Sequence, residues 1–483
     1  VKHATRNIVG IPVSTSRPGV SLADSWNLWP CVLLSILLLA RMARKLPVLP
    51  HISGDSPGYL AQAVYRPPLY GWLLAAWQNV VGGLEYLPLA QLMLLGAALC
   101  VFGIELGRLL RNVLVGPAAI LVTLLHPAVH DSPAQIMTEA VYLATVLLGL
   151  AMLFRYCRRP DLAPLITAAA CFGLSTLTRN TGLIFLLLPP LLVLFDPRCH
   201  FWPALRRCVA AGLVMLSVLG AGMTWTWLRY GHFELGSWAG ISLLGKALVL
   251  TQPEDAAVLP APVGANLPVV EESRRLMAAQ PDLAARLRAQ VQVSGDVRFP
   301  VFWSAADALW PEWQAADDRE KGRLAMAISR RLIATHPWEY LNLWVHDWLS
   351  LVIHPAYWPA WATTEAADPH AFAFCRETDS CWGLERYDLP LLGSLALFGV
   401  SVPGTLVAFV LIFWLAPQVL RRRAERVTVL VWGMALMVHG TLLANSAFEA
   451  GHIRYTVALH VLDVALLLWL TARSWSSRRR TAA

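Results

Sequence analysis

The sequence predicts an all-α polytopic membrane protein with about ten transmembrane helices, interfacial helices and one periplasmic domain. Three observations lead there. Among 483 residues, 57% are apolar and only 14% charged, with a mean hydropathy of +0.52, whereas soluble domains carry roughly a quarter charged residues. Continuous apolar runs such as LVGPAAILVTLLH and LPLLGSLALFGVSVPGTLVAFVLIFWLA dominate, rather than the short alternating segments of a membrane barrel. A helix satisfies its backbone groups internally, so such runs cross a bilayer as helices. Thirdly, the net charge of +8, from 39 basic and 31 acidic residues, is spread in short tufts between the runs. That pattern marks topology and argues against a nucleic-acid stripe.

In chain order, the first twenty-five residues hold Lys2, Arg6 and Arg17 without an apolar core. No cleavable signal peptide is expected, and the run from about Trp26 reads as a retained anchor. Spans are expected near 26–49, 86–107, 113–128, 138–156, 162–178, 180–195, 209–228, 390–420, 427–446 and 455–472. Pro67 to Gly82 is long enough to be an eleventh. Charge arbitrates: with that segment lying in the interface, Arg108 and Arg111, Arg155 with Arg158 and Arg159, Arg198 with Arg206 and Arg207, Arg421 to Arg423 and Arg478 to Arg480 all share the side of the amino terminus. Positive charge favours the cytoplasm, so both termini are expected there. Arg41, Arg44 and Lys45 are the exceptions, in the outer half of the first span, where snorkelling or contact with lipid phosphates is expected.

This layout divides the chain into a membrane module over 1–229 with an outer loop at 50–66, a periplasmic domain over 230–387, and carboxy-terminal helices over 388–483. The middle domain has mixed charge and helical stretches such as EESRRLMAAQPDLAARLRAQV. It ends in HPWEYLNLWVHDWLSLVIHPAYW, where Asn342, His346 and Asp347 interrupt an aromatic run; an interfacial helix is expected. Cys375 and Cys381 lie where an oxidising compartment permits a disulfide. The other six cysteines sit in or beside apolar runs without metal spacing. No solenoid repeat, Walker motif or Rossmann fingerprint is present.

Chemistry concentrates at the outer ends of the spans. In HISGDSPGYLAQAVYRPPLYGW, Asp55 precedes Ser56 and Pro57. Local grammar favours a helix cap; the functional reading is a carboxylate at the water–lipid boundary, able to take a proton from an attacking acceptor. Arg66 offers a guanidinium suited to a phosphate. Glu139 follows HDSPAQIMT, Arg179 sits in LSTLTRNTG, and Glu449 precedes Arg454 and Tyr455 in FEAGHIRY. Each has a structural alternative, pairing or turn-marking, and each is a functional candidate because ionisable groups at such depths are costly. Glu105 and Asp463 lie inside spans, where packing against a polar neighbour is the simpler account. His51 and His452 lack metal-ligand spacing; no cofactor is implied, and a divalent metal is left open.

The order of these motifs resembles the integral-membrane glycosyltransferases of the C fold, in particular the dolichyl-phosphate-mannose protein mannosyltransferases and the lipid A aminoarabinose transferases. GDSPGYLAQA is similar to their first outer loop, RPPLYGWLL to the segment where a basic residue precedes paired prolines, and TEAVYLATVLLGL to the span after their second outer loop. GLSTLTRNTGLIFLLLPPLL and FEAGHIRYTVALH resemble later elements. The resemblance implies inverting transfer of a sugar from a polyprenyl-phosphate donor to a glycolipid, glycan or protein acceptor, at the outer face of the bacterial inner membrane. By position, it implies Asp55 as general base, Glu139 as a second acidic residue, and Arg66 as a donor-phosphate ligand. Many relatives have Lys in place of Arg66 and Asp in place of Glu139. Charge and side suggest Arg454 and Arg179 as further phosphate contacts, with Tyr59, Glu449 and Tyr455 as substrate contacts. The rival reading is a secondary transporter or lipid flippase, which uses buried charges to couple ions to movement.

Overall fold

Leucine-rich runs fold as long helices, with prolines mostly in their first turns, where a missing N–H costs nothing, and Pro417 inside the Val402–Leu420 helix as an exception. The structure, a computed structural model, describes residues 28–52, 55–236, 239–257, 259–260, 310–353, 397–448 and 457–482, with Glu271, Arg275 and Ala279. Helix α1 (Leu28–Ala43) leads into the 50–66 loop, which contains the short α2 (Ser56–Leu60). There follow α3 (Pro68–Val81), α4 (Leu87–Leu110), α5 (Val115–Leu124), α6 (Pro127–Asp131), α7 (Glu139–Arg158) and α8 (Leu162–Thr178). After Arg179 the chain continues as a 3-10 helix over Asn180–Leu187 and then α9 (Leu188–Leu194), with Pro189 and Pro190 at the join, where missing backbone donors disfavour an unbroken α-helix. Helix α10 (Phe201–Tyr230) completes the first module.

Six described helices are long and apolar enough to cross a bilayer: 87–110, 139–158, 201–230, 399–420, 426–448 and 457–475. The shorter apolar helices over 28–43, 115–124, 162–178 and 180–194 coincide with further expected spans. The protein is therefore a multi-pass membrane protein whose described residues form helices and the turns between them. Helix α7 is its axis, buried along most of its length and packed on α4 and α8. Leu213 and Leu216 of α10 and Leu33 and Leu37 of α1 stay exposed, as lipid-facing positions do.

Helix α3 is the segment whose crossing was in question. At its start Gln62 donates to the Gly71 carbonyl (3.4 Å), and just beyond its end the Tyr86 N–H donates to the Val48 carbonyl (2.8 Å). Both ends are thus tied to the loop that follows α1, at one end of the bundle.

The 230–387 region contributes α11 (Ala239–Ala247), α12 (Pro311–Ala315), α13 (Asp318–Thr335) and α14 (Pro337–Ile353). Ile241, Leu244, Trp310, Trp313 and Leu332 form a separate apolar core there. The bundle ends with α15 (Val402–Leu420), α16 (Arg426–Phe448) and α17 (Val457–Ala482). Helix α14 differs from the expected interfacial helix. Tyr340 donates to Ala447 O (2.6 Å), Trp344 to Leu443 O (3.0 Å), and the Trp348 ring lies 6.1 Å from His439. Residues four apart on one helix meet residues four apart, in reverse order, on the other. Helix α14 therefore runs antiparallel along the last turns of α16, and its aromatic stripe is an interhelix seam. Cys375 and Cys381 lie outside the described residues.

Candidate functional site

Asp55 stands at the N-cap position of α2, yet its side chain makes no capping hydrogen bond. It pairs instead with the Arg66 guanidinium, eleven residues on. The pair keeps some access to the outside, with side chains 23% and 15% exposed. Arg66 is further held by Tyr59, whose hydroxyl accepts from Nη1 (3.4 Å) and whose ring lies 4.8 Å from Cζ, and by the Tyr65 ring at 5.2 Å. Such stacking suits a planar cation. Burial holds the Tyr65 phenol above its ordinary pKa, with Arg66 opposing, so Tyr65 presents a neutral hydroxyl at physiological pH. A Cβ on Gly58 would fall 2.8 Å from the Tyr65 hydroxyl and 3.3 Å from Arg66 Nε. Glycine is required there for the ring and the guanidinium to close over α2.

The loop is anchored from beneath. His51 donates through its N–H to Ala134 O (2.8 Å) and accepts from Ile136 N (3.0 Å), and Ser56 Oγ donates to Ile136 O (3.0 Å). Gln91 of α4 accepts from the Tyr70 hydroxyl and donates to the Pro133 and Gln135 carbonyls, each at 3.0 Å. These bonds zip the 48–66 and 125–138 loops together, with Glu139, the first residue of α7, three residues beyond Ile136. Arg179 Nη1 donates to Glu139 Oε1 (2.6 Å), and here the side chains are only 11% and 5% exposed. Glu139 Oε2 has no hydrogen-bond partner among the described residues. Tyr59 meets Tyr70 edge-on (5.3 Å), and Tyr70 lies within electrostatic reach of Glu139. Two carboxylate–arginine pairs, one accessible and one buried, are thus linked through a pair of tyrosines.

No family model matches this sequence, and no curated protein does. Two solved structures are similar to it. One is ArnT from Cupriavidus metallidurans bound to undecaprenyl phosphate, 16% identical, covering 86% of this chain and 77% of that one, with a TM-score of 0.35. The other is the same protein in the apo state, 17% identical, with the same coverage and a TM-score of 0.33. ArnT is a lipid A aminoarabinose transferase, one of the two groups that the motif order resembles.

Of the sequence candidates, the structure brings Asp55, Arg66 and Tyr59 into one contact set and Glu139 with Arg179 into a second. Glu449, His452, Arg454 and Tyr455 lie outside the described residues. Glu105 pairs with Arg108 (3.1 Å) and Arg158, and Asp196 with Arg426. Both sets join helix ends away from the Asp55 loop and serve structure. Asp463 is buried against Thr405, whose hydroxyl donates to Oδ2 (3.4 Å). Among the described residues no cluster of three or more His, Cys, Asp or Glu side chains has metal-site geometry.

Sequence reading missed two features. Gln91, a lone amide in LPLAQLMLLG, carried a signal in its solitude: an amide in an apolar helix needs partners. Lys246 carried none. It is wholly buried in α11, pairs with equally buried Asp347 of α14 (2.6 Å), and donates to the Ser446 carbonyl near the end of α16. Burial pushes its ammonium below the ordinary lysine range while Asp347 opposes that shift.

Proposed function

We propose that this protein transfers a sugar from a polyprenyl-phosphate carrier to an acceptor at the periplasmic face of a bacterial inner membrane, with inversion. The observation that carries the proposal is the Asp55 carboxylate, which stands at a cap position without capping and is held, partly accessible, on Arg66 at the bundle rim. The motif order of the outer loops supports the same reading.

A phosphate leaving group is already anionic, so departure calls for positive charge on the phosphate and a base on the acceptor. Arg66, steadied by Tyr59 and Tyr65, provides the first. Donor phosphate competing for the guanidinium releases Asp55 for the second. The acceptor oxygen attacks the anomeric carbon opposite the phosphate. The bond from that carbon to the phosphate oxygen breaks, the electron pair leaves with the phosphate, and the acceptor's proton passes to Asp55. Attack from the opposite face inverts the centre. Glu139, buried on Arg179 at the start of α7, fixes the end of the loop that is hydrogen-bonded to the Asp55 loop.

The test uses protein in lipid, supplied with a labelled polyprenyl-phosphate sugar and envelope extract. Wild type is expected to release polyprenyl phosphate as labelled product forms. Asp55→Asn is expected to insert and bind donor normally while transfer falls by about a hundredfold to ten-thousandfold, the usual loss for a general base. Near-normal transfer by well-folded Asp55→Asn overturns the assignment, and absence of any donor consumption by wild type overturns the activity.

A further inference from the structure

Three cations that the transfer site does not use stand on the same rim. Arg41 lies in the last turn of α1, and Arg44 and Lys45 in the turn that ends it, tightened where Lys45 N–H donates to Met42 O (2.9 Å). All three are exposed, and among the described residues none has an ion pair or a side-chain hydrogen bond. Spacings of three and four residues at a helix end set them on one side. Just beyond them Val48 and Leu49 are 56% and 57% exposed, and Tyr86, bonded through its N–H to Val48 O, is 58% exposed. The cations therefore border an exposed apolar ledge.

Connectivity places this patch on the face that carries Asp55 and Arg66, whichever way the protein is oriented. The chain runs from Lys45 into the 50–66 loop, where His51 is hydrogen-bonded to the second outer loop. Arginine tufts elsewhere follow the opposite ends of their helices, as with Arg108 and Arg158 on Glu105. A cation cluster on the wrong face by the charge rule, without side-chain partners among the described residues and beside apolar side chains, is complementary to an anionic headgroup whose acyl chains meet the ledge. A free anion would gain nothing from the apolar half.

We propose that Arg41, Arg44 and Lys45 dock the phosphate of an anionic phospholipid in the leaflet that borders the Asp55–Arg66 site, with its acyl chains on Val48, Leu49 and Tyr86. This site is independent of the transfer reading and needs only that the chain sits in a bilayer. It would hold the mouth of the outer loops at headgroup level.

The full chain is placed in nanodiscs containing a photoactivatable phosphatidylglycerol or the matching phosphatidylcholine, and crosslinked peptides are mapped by mass spectrometry. Each basic residue near a surface is worth roughly fivefold in anionic-lipid attraction, so residues 41–52 are expected to label on the order of tenfold more with the anionic probe. The triple variant Arg41→Gln, Arg44→Gln, Lys45→Gln should bring the two probes to parity there. Labelling around Arg421 to Arg423 should stay unchanged, which reports correct folding and insertion. Parity in wild type, or an anionic preference that survives the triple substitution with the Arg421 control intact, overturns the proposal.

Discussion

Asp55 is where local grammar and tertiary contact part company. Asp followed by Ser-Pro starts helices routinely, and α2 does start there, but the carboxylate turns to Arg66 instead of the helix N–H groups. Arg66 is in turn fixed by two tyrosine rings, so its loss acts on geometry and charge together. Arg66→Ala is expected to weaken binding of polyprenyl phosphate by about tenfold to a hundredfold, the worth of one charge-assisted hydrogen bond. Arg66→Lys should recover part of it, since a point charge remains while the stacked, bidentate fork is lost. Titration with the bare polyprenyl phosphate reads both, and unchanged affinity in Arg66→Ala would remove the residue from the donor site. Gly58→Ala should slow transfer with little effect on thermal stability, because the atom it meets is the mobile end of Tyr65. A combined measurement of turnover and unfolding temperature checks this.

Among the elements, α3 and α14 depend most on context. By composition, α3 is indistinguishable from a short span; its two tethers to the loop after α1 hold both of its ends at one end of the bundle. A cysteine at Gly82, in a background without native cysteines, should react with an impermeant reagent from the side that labels the 50–66 loop, and reaction only from the opposite side would contradict that. Helix α14 looks like an interfacial helix because His346 and Asp347 break its apolar stripe. Its neighbours change the meaning of that break, since Asp347 finds Lys246 and the aromatic residues find the α16 backbone.

For the whole molecule, the Lys246–Asp347 pair locks α11 to α14 within the 230–387 region, and Lys246 carries the lock into the bundle through the Ser446 carbonyl of α16. Removing one partner leaves a buried charge uncompensated, so Lys246→Met should cost about 3–5 kcal/mol. Replacing both, as Lys246→Met with Asp347→Leu, should restore most of that or exceed wild type, because two desolvated charges are exchanged for apolar packing. Thermal unfolding in one detergent compares the three. Equal destabilisation of single and double variants would show that the pair is not an energetic unit.

Helix positions, membrane character and the chemistry-bearing segments were legible in the chain, because hydrophobic period, proline placement and charge tufts are local quantities read over one helix length. The same reading found Asp55, Arg66, Glu139 and Arg179, since ionisable groups at the ends of apolar runs are conspicuous by cost alone. Which carboxylate meets which arginine was not legible. Asp55 with Arg66 and Glu139 with Arg179 are held by loops that long-range hydrogen bonds zip together, some between backbone groups that every sequence possesses, as from His51 to Ala134 and Ile136, and some through the Ser56 hydroxyl and the Gln91 amide, whose partners lie about forty to eighty residues away. Lys246 was hidden for the same reason, and Asp347 showed only as a break in an aromatic run: an isolated lysine resembles a solvated residue until packing removes the water around it and its partner.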